Sequence, residues 1–542
     1  MTLEGEGRRD RRISVAGILV VAFAFAGCGG PSVAPSGPSV SAPGVPRAPA
    51  GRSAGDKLVA GAISALARLD DFDEARAYEQ AFDRLNQWSH LPAAAAEGWR
   101  PDPLIDALRP PLRAAAAGLD RTGFDAGDDV IAIRDRRWLA DIADSVRGDA
   151  VDDLDVARRL FDWTVRSLAL VSDPPAVPST DVPGTRWFMP GEVLLAGRAS
   201  AAQRSWIFIE LLRQAGIDSV VLATGDADAG TLRPWVPAVL VAGQAYLFEP
   251  TYGLPVPGPG GEGVATLRQA SEDPAVLAAL SVPDRTYPVK AADIAGLSVL
   301  VAADPWSLSR RMAALDRECR SRHGLTLAVD ATALGGRAAT ALGREDLQVG
   351  LWEFPWETVV RRRSDPAVEQ AMRRELAPLF AAVPEMTGGD RPTMRFVRPL
   401  FTARVRDFRG DLDGPDGAKA AYLASRPSRG VIQSVVQTVP QEQAAAVERV
   451  FRQMKEDATY WLGLVTLAEG ENEAAVDYLA RMTLDAAPDS RWTDAARANL
   501  GRALAALGRT EEAVKVLRED GSPQRFGSQI LADRLEKKAA ER

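Results

Sequence analysis

The stretch from Gly197 to Thr251 constrains this chain most, because helix, strand and hairpin signals follow one another in it without a gap. Residues Ser205 to Ala215 carry apolar side chains at helical spacing, with Ile207, Leu211 and Leu212 on one side. Gly216 then allows a left-handed turn that ends the helix. Three β-prone runs come next: Ser219 to Ala223, Trp235 to Ala242 and Ala245 to Phe248. Gly243 and Gln244 separate the last two and predict a tight hairpin.

The segments LLRQAGIDS, PWVPAVLV and YLFEPT, in that order, resemble the transglutaminase-like fold of the papain-like cysteine hydrolases. The resemblance implies a cysteine at the start of the helix, a histidine just before the aromatic of the next strand, and an aspartate in the strand after that. Such a site works by a thiolate at a helix N-terminus, an imidazole base, and a carboxylate that orients it. Here the nucleophile position falls on Ala201, with Ser200 as the nearest hydroxyl. The histidine position falls on Arg233, two before Trp235, and the aspartate position falls on Glu249. Ala201 cannot attack a substrate, and Arg233 stays protonated at neutral pH. The resemblance therefore implies a framework without its chemistry. Arg233, Trp235 and Glu249 are expected to line a binding groove with Ala201, and Arg233 and Glu249 to pair across neighbouring strands.

The first residues read as an export signal. Arg8, Arg9, Arg11 and Arg12 precede a short apolar run, Ile13 to Ala26, which ends in FAGC at Cys28. This resembles the lipobox of bacterial lipoproteins, with Phe25 in place of the usual leucine. It implies a lipidated Cys28 and a membrane-anchored envelope protein. Gly29 after the cysteine points to the periplasmic face of an outer membrane rather than the inner one. Gly29 to Gly55, rich in Pro, Ser, Gly and Ala, reads as a tether.

Inventory excludes several chemistries. The chain has two cysteines and two histidines, so with Cys28 acylated no internal disulfide and no clustered Cys/His metal site can form. No cofactor is expected. A net charge of −8 and the lack of a basic stripe argue against nucleic-acid binding. Asp226 and Asp228 in GDADAG read as a turn rather than a calcium loop. Cys319 and His323 would share a helix face, but RECRSRH reads as an exposed charged surface.

Seven regions are expected: a signal peptide (1–27), a linker (28–55), a helical region (56–150), the transglutaminase-like domain (151–290), a mixed α/β region (291–404), a connection (405–440) and helical repeats (441–542). The class is α+β. In the second region of mixed structure, Trp352, Phe354 and Trp356 alternate and would share one side of a strand. The Pro- and Gly-rich run after Thr251 reads as a solvated loop or a lid beside Trp235. Near the end, YWLGLVTLAEGENEAAVDYL is echoed by ANLGRALAALGRTEEAVKVL, which resembles the tetratricopeptide repeat. Gly463, Ala475, Gly501 and Ala513 are the small residues expected where its helices touch.

Three functions fit. The first is an envelope-anchored protein that binds a protein or peptide through the groove and the repeats. The second is a hydrolase or transamidase using Ser200, with Glu249 as base. The third is a purely structural lipoprotein whose groove is filled by side chains.

Overall fold

The computed structural model describes residues 54–70, 74–94, 96, 98–172, 186–225, 232–344, 347–386 and 394–541. Cys28, the tether before residue 54, Asp226, Asp228 and the Pro-rich loop from residue 173 lie outside them.

The chain is α+β. Short strands β1 (Ala169–Leu170) and β2 (Arg198–Ala199) form a parallel pair just before the helix Ala201–Gln214. That helix ends as its sequence predicts. Gly216 has φ 77°, and the Ile217 and Gly216 amides donate to the Leu212 and Arg213 carbonyls. Six strands then build one sheet: β3 (Ser219–Thr224), β4 (Arg233–Val241), β5 (Gln244–Glu249), β6 (Leu254–Pro255), β7 (Ser298–Val301) and β8 (Val349–Leu351). Their spatial order is β6-β5-β4-β3-β7-β8, antiparallel except for the β7–β8 pair.

Three expectations change here. The β4–β5 turn is Ala242-Gly243, one residue earlier than expected, with φ of 48° and 70°. A two-residue turn of this kind needs both residues left-handed, and Gly243 supplies only one of them. The boundary expected at residue 290 also fails. Strand β3 pairs with β7, so the supposed middle region completes the same sheet. The run after Thr251 is no lid, because it folds back on the sheet edge. There the Val256 amide donates to the Leu247 carbonyl, and the Leu247 amide to that of Ala265.

Alternation along the strands separates two buried faces. Val220, Leu222, Val236, Ala238 and Leu247 enter one core. Val221 and Ala223 meet Trp206 and Ile209 of the Ala201–Gln214 helix on the other face. On that side Phe161, Phe208 and Phe248 pack with ring centroids 5.0–5.1 Å apart, tying the helix Asp153–Ser167 to β5.

The aromatic run LWEFPWE is not a strand face. Trp352 precedes the helix Glu353–Ser364 and stacks on Phe354 at 5.3 Å, while Trp356 is fully buried and donates to the Ala303 carbonyl at 2.7 Å. Helical spacing turns Trp356 away from the Trp352–Phe354 pair, so all three serve the core.

The C-terminal region holds the helices Gln441–Ala468, Asn472–Val476 continuing as a wide turn through Asp485, Thr493–Ala506, Thr510–Arg518 and Arg525–Ala540. Its first four elements make two hairpins. Gly470 and Gly508 turn them with φ of 78° and 74°. A side chain at Gly463 would strike Leu479 at 2.9 Å, and one at Gly501 would strike Leu517 at 2.6 Å. Ala475 and Ala513 are fully buried on the facing helices. Ala513→Trp should overpack the second hairpin and cost about 1–3 kcal/mol. An unfolding midpoint equal to the wild type's would show that Ala513 does not sit at a tight contact.

Candidate functional site

Ser200 caps the Ala201–Gln214 helix. Its hydroxyl accepts from the Gln203 amide at 3.2 Å, and its own amide donates to Gln203 Oε1 at 3.0 Å. The hydroxyl is fully buried and occupied by the cap, so it is not presented as a nucleophile. Ala201 is half-buried at the first helical position.

The other two positions do not come to it. Ala223, which packs against Trp206, pairs with Pro234, so Arg233 opposite Thr224 lies on the far face of β4. A bulge at this point leaves Trp235 unpaired and turns it to the same far face. Glu249 follows Phe248, which faces the helices, and so points away from them as well. Its carboxylate accepts from the Tyr287 hydroxyl and, at 2.8 Å, from the Thr251 amide. Trp235 Nε1 donates to the same Tyr287 hydroxyl at 2.8 Å. Burial pushes the Glu249 carboxyl above the ordinary carboxylate range. Trp235 and Glu249 are thus joined through Tyr287, which sequence reasoning did not single out. Among the described residues no ion pair links Arg233 to Glu249, and Arg233 is exposed. Ala201, Arg233 and Glu249 form no shared groove, because the bulge and the strand parity put the last two behind the sheet.

The Cys319–His323 reading fails for a different reason. Cys319 lies inside the core on the buried side of the helix Arg310–His323, where burial pushes its thiol up to about 12. The charges of RECRSRH sit on the rest of the helix circumference and hide this. Iodoacetamide should leave Cys319 unmodified in the folded protein at pH 8 and alkylate it in guanidinium chloride. Rapid labelling without denaturant would show that the thiol is reachable.

Compared with protein-family models, curated proteins and solved structures, the chain matches none.

What occupies the region beside the helix N-terminus is a buried arginine. Arg204, 1 % exposed, donates to the carbonyls of Leu168 (2.6 and 2.9 Å), Pro250 (3.0 Å) and Val165 (3.3 Å), and to Gln524 Oε1 (2.7 Å). No carboxylate pairs with it among the described residues. Burial pushes its guanidinium down to about 9, so it remains charged at neutral pH. It pins the Asp153–Ser167 helix, the end of β5 and the C-terminal helices to one point. Next to it, Tyr252 packs on Phe526 with centroids 5.9 Å apart. A sequence signal for Arg204 existed: it lies four residues before Phe208 and seven before Leu211, on the apolar stripe of the helix.

A cleft of about 810 Å³ opens on the other side of this junction. The helix Asp153–Ser167 forms one wall, and Leu464, Arg502 and Leu531 of the C-terminal helices form the other. No sequence motif marks it, since its walls come from segments hundreds of residues apart. Among the described residues no cluster of side chains is suited to a metal ion, and no helix is long and apolar enough to cross a membrane.

Proposed function

We propose that the chain is a non-catalytic, lipid-anchored protein of the cell envelope that binds a protein or peptide. In this reading a transglutaminase-like framework carries tetratricopeptide-like helices, and the cleft at their junction is the binding surface. The observation that supports it is the placement of the family's site positions: Ala201 opens the helix, Ser200 is locked in its cap, and Arg233 and Glu249 lie behind the sheet. Nucleophile and base need hydrogen-bond reach of each other, and these residues do not have it. A roomy cleft at a junction between two structural units is a common place for a ligand.

The test of the non-catalytic part is hydrolysis of a broad peptide library by the purified mature chain, with Ser200→Ala alongside. No turnover is expected from either protein. Turnover that disappears in Ser200→Ala would establish a serine hydrolase instead. The anchor is tested separately. Cys28→Ala should move the protein from the membrane fraction to the soluble one, because the peptide tether alone has no membrane affinity. A processed variant that stays membrane-bound would remove the lipid anchor from this account.

A further inference from the structure

The cleft carries an excess of positive charge in a chain whose net charge is −8. Five arginines line it against only three aspartates. Two of the arginines have their own partners there. Arg159 bonds Asp155 at 3.1 Å, and Arg404 bonds Asp407 at 2.9 Å. The third aspartate is shared, since Asp162 Oδ2 meets Arg166 at 3.1 Å while its Oδ1 meets Arg502. Arg158 is exposed and makes no ion pair among the described residues. The surplus is therefore local: Arg158, and one of the two guanidiniums that divide Asp162.

Those two guanidiniums are held without full compensation. Arg166 and Arg502 side chains are only 19 % and 22 % exposed. Burial pushes Arg166 down from its ordinary value, and the Arg502 charge acts in the same direction against the pull of Asp162. A second carboxylate arriving in the cleft would relieve both effects with charge-assisted hydrogen bonds. Most of the remaining lining is apolar, including Leu254, Pro255, Leu412, Leu464 and Leu531, with Ser145 and Ser167 as the polar exceptions. Arginines on both walls with apolar side chains between them suit an extended chain that alternates carboxylate and aliphatic side chains. A volume near 810 Å³ holds a short peptide segment and exceeds what one small anion fills.

We propose that this cleft binds an acidic peptide segment, with Arg158, Arg166 and Arg502 receiving its carboxylates. The proposal rests on the binding reading above and names the ligand class for it. The test is calorimetric titration of the mature protein with acetyl-(Glu-Leu)3-amide and with the glutamine counterpart, acetyl-(Gln-Leu)3-amide. The glutamate peptide should bind at least tenfold more tightly, and raising the salt from 50 to 500 mM should weaken it. Arg158→Glu, an exposed change, should weaken binding tenfold or more with an unchanged melting temperature. Arg502→Gln should do the same and serves as the second variant. Equal affinity for the two peptides, no binding of either, or wild-type affinity in a folded Arg158→Glu protein would each overturn the proposal. So would binding of phosphatidylglycerol vesicles with the peptides silent, which would assign the charge to a lipid surface. A silent titration without peptide hydrolysis removes this inference alone. Hydrolysis of the library removes the non-catalytic reading and leaves the affinity comparison to be judged by itself.

Discussion

Gly527→Ala will lower the urea midpoint of unfolding sharply, while Gly336→Ala will raise it slightly. Both glycines lie in helices, Arg525–Ala540 and Ala331–Ala341. A methyl group at Gly527 would stand 1.7 Å from the Tyr252 carbonyl oxygen and 2.6 Å from its carbon. These are backbone atoms, so no rotamer change removes the clash. The C-terminal helix must move off the loop after β5, and Phe526 and Ile530 then leave the core they share with Tyr252. Overpacking of this kind costs about 3 kcal/mol or more when the backbone cannot yield. Gly336 is exposed, with nothing within 4 Å of where its methyl would go. Alanine there stabilises the helix by about 0.5–1 kcal/mol. Equal effects at the two sites would mean that the last helix is not seated against Tyr252.

Arg204→Met should cost about 2–4 kcal/mol, read as a change in unfolding midpoint at constant slope. Methionine fills similar volume but leaves the Leu168 and Pro250 carbonyls without a donor, at roughly 1–3 kcal/mol each. Relief of a desolvated charge returns part of that loss. Gln524→Ala should cost less, because Arg204 keeps its carbonyl partners. The double variant should lose less than the two single changes together, since both remove the same 2.7 Å bond. A change within about 0.5 kcal/mol for Arg204→Met would show that this arginine is not the pin of the junction.

Local order was legible in the sequence wherever one segment decides it. The helix through Gln214, its glycine stop, the β4–β5 hairpin and the two C-terminal hairpins all follow from periodicity and turn residues close together in the chain. What failed depends on side-chain direction or on distant partners. Arg233 and Glu249 stand at the expected places along their strands, yet the bulge at Trp235 decides the face of Arg233, and alternation with Phe248 decides that of Glu249. A bulge adds a single residue and leaves little trace in composition. Trp352 and Trp356 were misplaced because alternation over a few residues suits a strand as well as the start of a helix. The sheet was cut at residue 290 because β7 and β8 are short and arrive after long insertions. Of the candidate site, the alanine that opens the helix and the serine that caps it were readable from the chain. The cleft was not, since Asp162 and Arg502 are 340 residues apart.

The bond between Arg204 and Gln524 spans 320 residues. Ribosomes add roughly 5–20 residues each second, so those two side chains are made tens of seconds apart. Through that interval the guanidinium has water where the amide will be, and the apolar surface around Tyr252 has no cover from Phe526. The Arg204–Gln524 bond and the cover that Phe526 gives Tyr252 can therefore form only after the helix Arg525–Ala540 has been made.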